Sequence, residues 1–254
     1  MHIFLTNDDG VGARGIMALY RAAVARGHEV TMCAPRHQQS AAGHRFTLVE
    51  PMFMNEYPLE HGDGYAVDGA PADCVRIGIQ KLAQKPVDVV ISGINDGYNA
   101  GIATHYSGTV GAAMEGAFHN LPSIAVSIHH TATQEMFDHL ADFTIRMAEQ
   151  YAGKPQKRAT ILNINAPCVA PGQLKEPVYA PLDTAFYLDS YERRTSPRSG
   201  DYFWLEEGSP IEPADEGSDN WYLERGHITL TIMGNFETAS QAEWDALHIE
   251  STKA

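Results

Sequence analysis

The chain is poor in cysteine, poor in basic residues and free of long apolar runs, and each shortage removes a class of protein. Its three cysteines, Cys33, Cys74 and Cys168, lie far apart in 254 residues and form no CxxC pair. That excludes a disulfide framework or a thiolate zinc cluster, and the thiols read as small buried hydrophobes in a reducing compartment. Eighteen Lys and Arg face 32 Asp and Glu, a formal net charge of −14. A chain this acidic is a poor partner for a nucleic-acid polymer. It would also repel a phosphorylated small molecule unless a cation or backbone N–H groups neutralised it locally. The opening apolar run stops at Asn7, Asp8 and Asp9, too short for a signal peptide or a membrane span. The expectation is a cytoplasmic protein with no membrane partner. The lysine of a phosphate-binding GxxxxGK[ST] loop is missing, as are HExxH zinc spacing and a DxDxT aspartate-phosphatase pattern.

What is present is an alternation of apolar strands and amphipathic helices. Residues 2–6, 29–33, 65–67, 87–91, 123–128 and 160–164 read as strands. Residues 15–25, 71–82, 108–118 and 136–151 read as helices; Ile16, Leu19, Tyr20 and Ala23 mark one helical face, and Gly27 stops that helix. This pattern predicts an α/β fold, a Rossmann-like three-layer α/β/α domain on a mostly parallel sheet. Residues 46–57 read as an extended hairpin insertion. After Pro181 the composition turns to Ser, Gly, Pro and acidic residues, and 206–219 reads as a solvated loop. A strand over 227–233 and a terminal helix over 241–247 complete the tail. The expected division is a catalytic domain over 1–180 and a β-rich extension over 181–254, a hairpin and terminal helix suited to oligomer contacts.

Three polar clusters each follow a predicted strand: residues 6–10, 34–40 and 92–97. In open parallel sheets, sites form outside the carboxyl ends of the strands, so these loops are expected to converge. Asp8 and Asp9 together concentrate negative charge, which a hard divalent cation relieves. Ser40 and Asn95 offer a hydroxyl and an amide oxygen from the other loops. Two carboxylates with two neutral oxygens suit one Mg²⁺ or Mn²⁺ and leave room for water and a phosphate oxygen. A fourth cluster, Ser107-Gly108-Thr109, opens a small-residue helix whose N–H groups and hydroxyls suit an anion. The chemistry this predicts is metal-assisted phosphate-monoester hydrolysis. Asp8, Asp9, Asn95 and Ser107 are the catalytic candidates, with Asn95, Ser107, Gly108 and Thr109 holding substrate. His44, His105 and His227 are possible proton carriers, for which a structural role is the simpler reading. A non-catalytic phosphate- or nucleotide-sensing module is the rival.

The motifs NDDG at 7–10, QQSA at 38–41, GAPADC at 69–74, ISGINDGYN at 91–99, YSGTVGAAMEG at 106–116 and LNINAP at 162–167 resemble the SurE survival-protein family of 5′/3′-nucleotidases. The resemblance covers most of residues 1–170. It implies a divalent metal on Asp8, Asp9, Ser40 and Asn95, nucleoside monophosphates as substrates, some activity on short polyphosphate, and a homodimer or homotetramer assembled through the tail. Two departures stand out. Ala70 replaces a threonine usual in the family, and residues 227–233 lack the Thr-Pro-Leu common in its tail strand.

Overall fold

The computed structural model describes residues 1–154, 157–185, 187–210 and 213–234; the helix expected over 241–247 lies outside them. The strands are β1 (His2–Thr6), β2 (Glu29–Pro35), β3 (Met54–Glu56), β4 (Asp63–Val67), β5 (Val89–Asp96), β6 (Ser123–Ile128), β7 (Thr160–Ala166), β8 (Lys175–Tyr179), β9 (Tyr187–Ser196), β10 (Gly200–Pro210) and β11 (His227–Gly234). The helices are α1 (Arg14–Ala25), α2 (Pro71–Ile77), α3 (Gly108–Phe118), α4 (Gln134–Tyr151) and α5 (Asp219–Leu223).

One nine-stranded sheet has the order β3-β4-β2-β1-β5-β6-β7-β11-β8. From β4 to β7 every pair is parallel, whereas β3 and β11 run antiparallel to β4 and β7. The predicted three-layer α/β fold is therefore present. β1 shows why: all five of its residues are buried. Ile3 and Leu5 pack in the cluster shared with α1 and α4, while Phe4 packs in a second cluster with Cys74 and Val75 of α2. A strand covered on both faces is apolar throughout, not alternating. The chain extends the sheet from β1 first through β2 and β4 on one side and then through β5, β6 and β7 on the other, which makes β1 and β5 the topological switch point. Thr6, the last residue of β1, pairs with Ser92 of β5, and β5 carries the polar stretch 92–96 on past that end.

Three expectations change. In the 46–57 insertion only Met54–Glu56 forms a strand, a short edge pairing with β4. The expected 71–82 helix leaves α geometry after Ile77 and widens over Gly78–Leu82, where Gly78 leaves space for the Phe4 ring. Residues 206–210, read as loop, belong to β10, which pairs with β9 in a separate two-stranded ribbon. Polar residues do not forbid a strand whose two faces meet solvent.

Candidate active site at the switch point of the sheet

The turn after β1 is clamped by its own side chain. Asn7 Nδ2 donates to the Gly10 carbonyl at 2.9 Å, and its Oδ1 accepts the Gly10 N–H at 3.1 Å. Gly10 sits at φ +105°, a conformation that favours glycine. The clamp presents Asp8 and Asp9 at the mouth of the crevice.

Asp8 is buried and aimed at the start of α3. Its carboxylate accepts the Thr109 hydroxyl and the Thr109 N–H. A Cβ on Gly108 would stand 2.9 Å from Asp8 Cβ, so a glycine here lets the carboxylate approach. Ser107 caps α3, its Oγ accepting the Val110 N–H at 3.1 Å. Asp9 faces the other loops. It accepts Gln38 Nε2 at 3.3 Å and the Asp96 N–H at 3.2 Å. The Gln39 N–H donates to the Asp8 carbonyl at 2.7 Å, which places exposed Ser40 one residue from that contact. Asn95 spends its amide nitrogen on the Gly97 carbonyl, 2.7 Å away, and its Oδ1 has no hydrogen bond among the described residues. All four polar clusters thus meet at Asp8 and Asp9.

The charge of the pair is not balanced by protein cations. Burial pushes the Asp8 carboxyl up to about 6, against the Thr109 hydroxyl that holds it down, and the Asp9 charge adds to the rise. Burial also raises Asp9. Arg14, whose charge reaches Asp9, is paired with Asp96 at 2.7 Å. Among the described residues no three His, Cys, Asp or Glu side chains gather as a metal cluster. The donors on offer are two carboxylates and neutral oxygens, a set that fits a hard cation and not zinc.

Two cavities lie in this region, the first reaching the pair through Gln39 and the second opening directly on Asp9. One, of about 400 Å³, is bounded by Arg36, Gln39, Arg45, Phe46 and Gly69. The other, of about 320 Å³, opens on Asp9, Gln38, Asp96 and His130. The three candidate proton carriers go elsewhere. His44 Nε2 lies 2.9 Å from buried Glu115 and stacks on Phe118. His105 is exposed, and His227 Nδ1 meets the Glu176 carbonyl at 2.9 Å.

Gly10, Gly12 and Gly15 follow β1 with GxGxxG spacing, a dinucleotide fingerprint. Here the two carboxylates precede them, where a pyrophosphate would be repelled. Gly15 serves packing, since a Cβ there would overlap the Ile94 carbonyl at 1.9 Å.

Sequence reasoning passed over the residues that hold the 97–107 segment in place. The Asn99 N–H donates to Asn165 Oδ1 at 2.9 Å, its Nδ2 to Ser127 at 2.8 Å, and Asn163 and Asn165 both donate to its carbonyl. Two asparagines inside the otherwise apolar β7 were the available signal. Asp219 of α5 accepts the Gly101 N–H at 2.9 Å and the Asp183 N–H at 2.8 Å; nothing in its local sequence marks it. Ala70 has no side-chain cap to offer α2. Asp73 compensates, accepting the Ala70 N–H at 2.9 Å.

The fold and site define a doubly wound α/β protein with an acidic pair at the switch point of its sheet. Within that class the chain belongs to the Survival protein SurE family, whose model matches residues 3–188. It is 39% identical over 253 residues to the 5'-nucleotidase SurE of Solidesulfovibrio magneticus, covering 97% of this chain and 96% of that one. The Syntrophus aciditrophicus protein of the same name is 40% identical, covering 91% and 87%. The crystal structure of the SurE protein from Aquifex aeolicus superposes with a TM-score of 0.77 at 32% identity, covering 92% of this chain and 93% of that one.

Proposed function

We propose that the chain is a divalent-metal-dependent phosphatase that hydrolyses nucleoside 5′- and 3′-monophosphates, with short polyphosphate as a further substrate. The observation that carries this is the convergence of four polar clusters on a buried Asp8 and a half-buried Asp9 at the switch point, neither of them ion-paired among the described residues. The relatives named 5'-nucleotidase supply the substrate class. Asp8, Asp9, Ser40 and Asn95 would hold one Mg²⁺ or Mn²⁺. When bound, such an ion polarises a phosphoryl oxygen and makes a bound water acidic.

The chain's own residues do the rest. Asp9 is more open than Asp8 and orients the attacking water. Thr109 fixes Asp8 through its hydroxyl and N–H. Ser107 keeps its hydroxyl proton free to donate, because its Oγ caps α3 as an acceptor. Together with the Gly108 and Thr109 backbone at the helix start and Asn95, it grips the phosphate and meets charge that builds in the transition state. An aspartyl-phosphate route through Asp8 is the rival chemistry. Acid quench of a single turnover separates the two: a phosphorylated Asp8 is trapped only in the second, since the first forms no bond between enzyme and phosphorus.

The working form is a homodimer or homotetramer in the cytoplasm. Support comes from the β9–β10 ribbon, where Phe203 and Trp204 are 62% and 59% exposed, and from three unpaired cysteines. Among the described residues no helix is long and apolar enough to cross a membrane. Release of inorganic phosphate from AMP or GMP with Mn²⁺, abolished by EDTA, tests the reading. Binding of AMP without turnover would instead favour the sensing module.

A further inference from the structure

The larger cavity beside the acidic pair has an organised aromatic wall. Phe46 is 48% exposed, yet both sides of its attachment are held. The adjacent Thr47 donates its N–H and hydroxyl to buried Asp73 at 2.9 and 2.7 Å. Arg76 lies over the Phe46 ring at 4.9 Å and is itself paired with Glu115 at 3.1 Å. A large ring kept in water by such restraints is a stacking platform whose ordering cost is already met in the free protein.

The same loop leads to the acidic pair. Arg45, next to Phe46, donates from Nη2 to Gln39 Oε1 at 2.6 Å, and the Gln39 N–H meets the Asp8 carbonyl at 2.7 Å. Arg45 and Gln39 both line the cavity, and Glu50 adds an acceptor to its rim. A flat face, guanidinium donors and a carboxylate acceptor are the chemistry that recognises a heteroaromatic base with polar edges. The second cavity opens on the carboxylates of Asp9 and Asp96 and suits water better.

We infer that the Phe46 cavity binds the base of a nucleoside monophosphate whose phosphate lies at Asp8 and Asp9, with Phe46 stacking on the ring and Arg45 and Glu50 addressing its edge. This rests on the nucleotidase reading and deepens it, making Phe46 and Arg45 specificity-determining residues. The test compares kcat/KM for AMP with kcat/KM for ribose 5-phosphate, which has the phosphate and sugar but no base, in MnCl₂. The wild type is expected to favour AMP. Phe46→Ala should lower the AMP to ribose 5-phosphate ratio about tenfold, as loss of one base–aromatic stack does. Phe46→Trp should restore it, and Arg45→Ala should lower it as well. Because the ratio is taken within each variant, damage to folding or to the metal loop cancels. An unchanged ratio in Phe46→Ala overturns the assignment. So does a fall that follows His130→Ala instead, which moves the base to the second cavity. If the wild type releases phosphate from neither compound, the hydrolase reading fails and the cavity assignment falls with it.

Discussion

Asp8 and Asp219 are both buried aspartates, and both hold the segment leading into α3, Asp219 at Gly101 and Asp8 at Thr109. They differ in what answers their charge. Asp219 accepts three backbone N–H groups, from Gly101, Asp183 and Asn220, at 2.8 to 2.9 Å. Asp8 accepts from Thr109 and from its own N–H, stands beside Asp9, and is driven up to about 6; burial and the nearby Asp183 raise Asp219 as well, against its three backbone donors. A carboxylate whose donors come from three separate backbone positions ties those segments together, whereas one paired with another acid at a loop mouth is where the proposed cation would relieve charge.

The comparison can be broken by replacing each aspartate with asparagine. Asp8→Asn should lower phosphate release from AMP by at least about 100-fold, since it takes one charge from the metal site, while the circular dichroism spectrum stays native. Retained turnover would put Asp8 on the structural side of the contrast. Stability should move the opposite way. A carboxyl whose pKa is raised in the fold costs stability above that pKa. The cost is absent below 3.8 and complete above about 6, because the folded state binds the proton more tightly. Metal-free wild type should therefore lose stability relative to Asp8→Asn as pH rises across that window. The difference at pH 7 should be on the order of 3 kcal/mol, read from urea unfolding. Added Mn²⁺ should raise the melting temperature of wild type and not of the variant.

Asp219→Asn should show the reverse profile. It puts an NH₂ group against N–H donors and should destabilise the protein by about 2 kcal/mol, measured by the same unfolding series. Its Mn²⁺ affinity, read by electron paramagnetic resonance, should stay near wild type. The smallest effect is expected on the ribbon, whose Phe203 and Trp204 are exposed. Phe203→Ser with Trp204→Ser should change monomer stability by less than about 0.5 kcal/mol yet shift the assembly to a smaller species in sedimentation velocity. An unchanged sedimentation coefficient would remove the ribbon from the oligomer contact.

Much of this was legible in the residues themselves. Apolar runs such as His2–Thr6 and Ser123–Ile128, separated by amphipathic helices, imply a doubly wound sheet because only strands covered on both faces are apolar throughout. The candidate site was visible as polar clusters following those runs, since a buried strand must end where polar residues begin. The tail was less legible. Residues 206–210 look like loop because two glutamates, a glycine, a serine and a proline offer no apolar alternation.

Local order, then, came from the sequence alone: the strands, the helices, and the Asn7–Gly10 turn that clamps itself. Tertiary structure decided which distant groups answer which charge. Asp219 meets Gly101 across 118 positions, and Thr109 meets Asp8 across 101. Those pairings depend on strand order and register, which set the end of β1 beside Ser92 of β5. Hydrogen bonds are short-ranged, so no local pattern foretells a partner that only the folded sheet delivers.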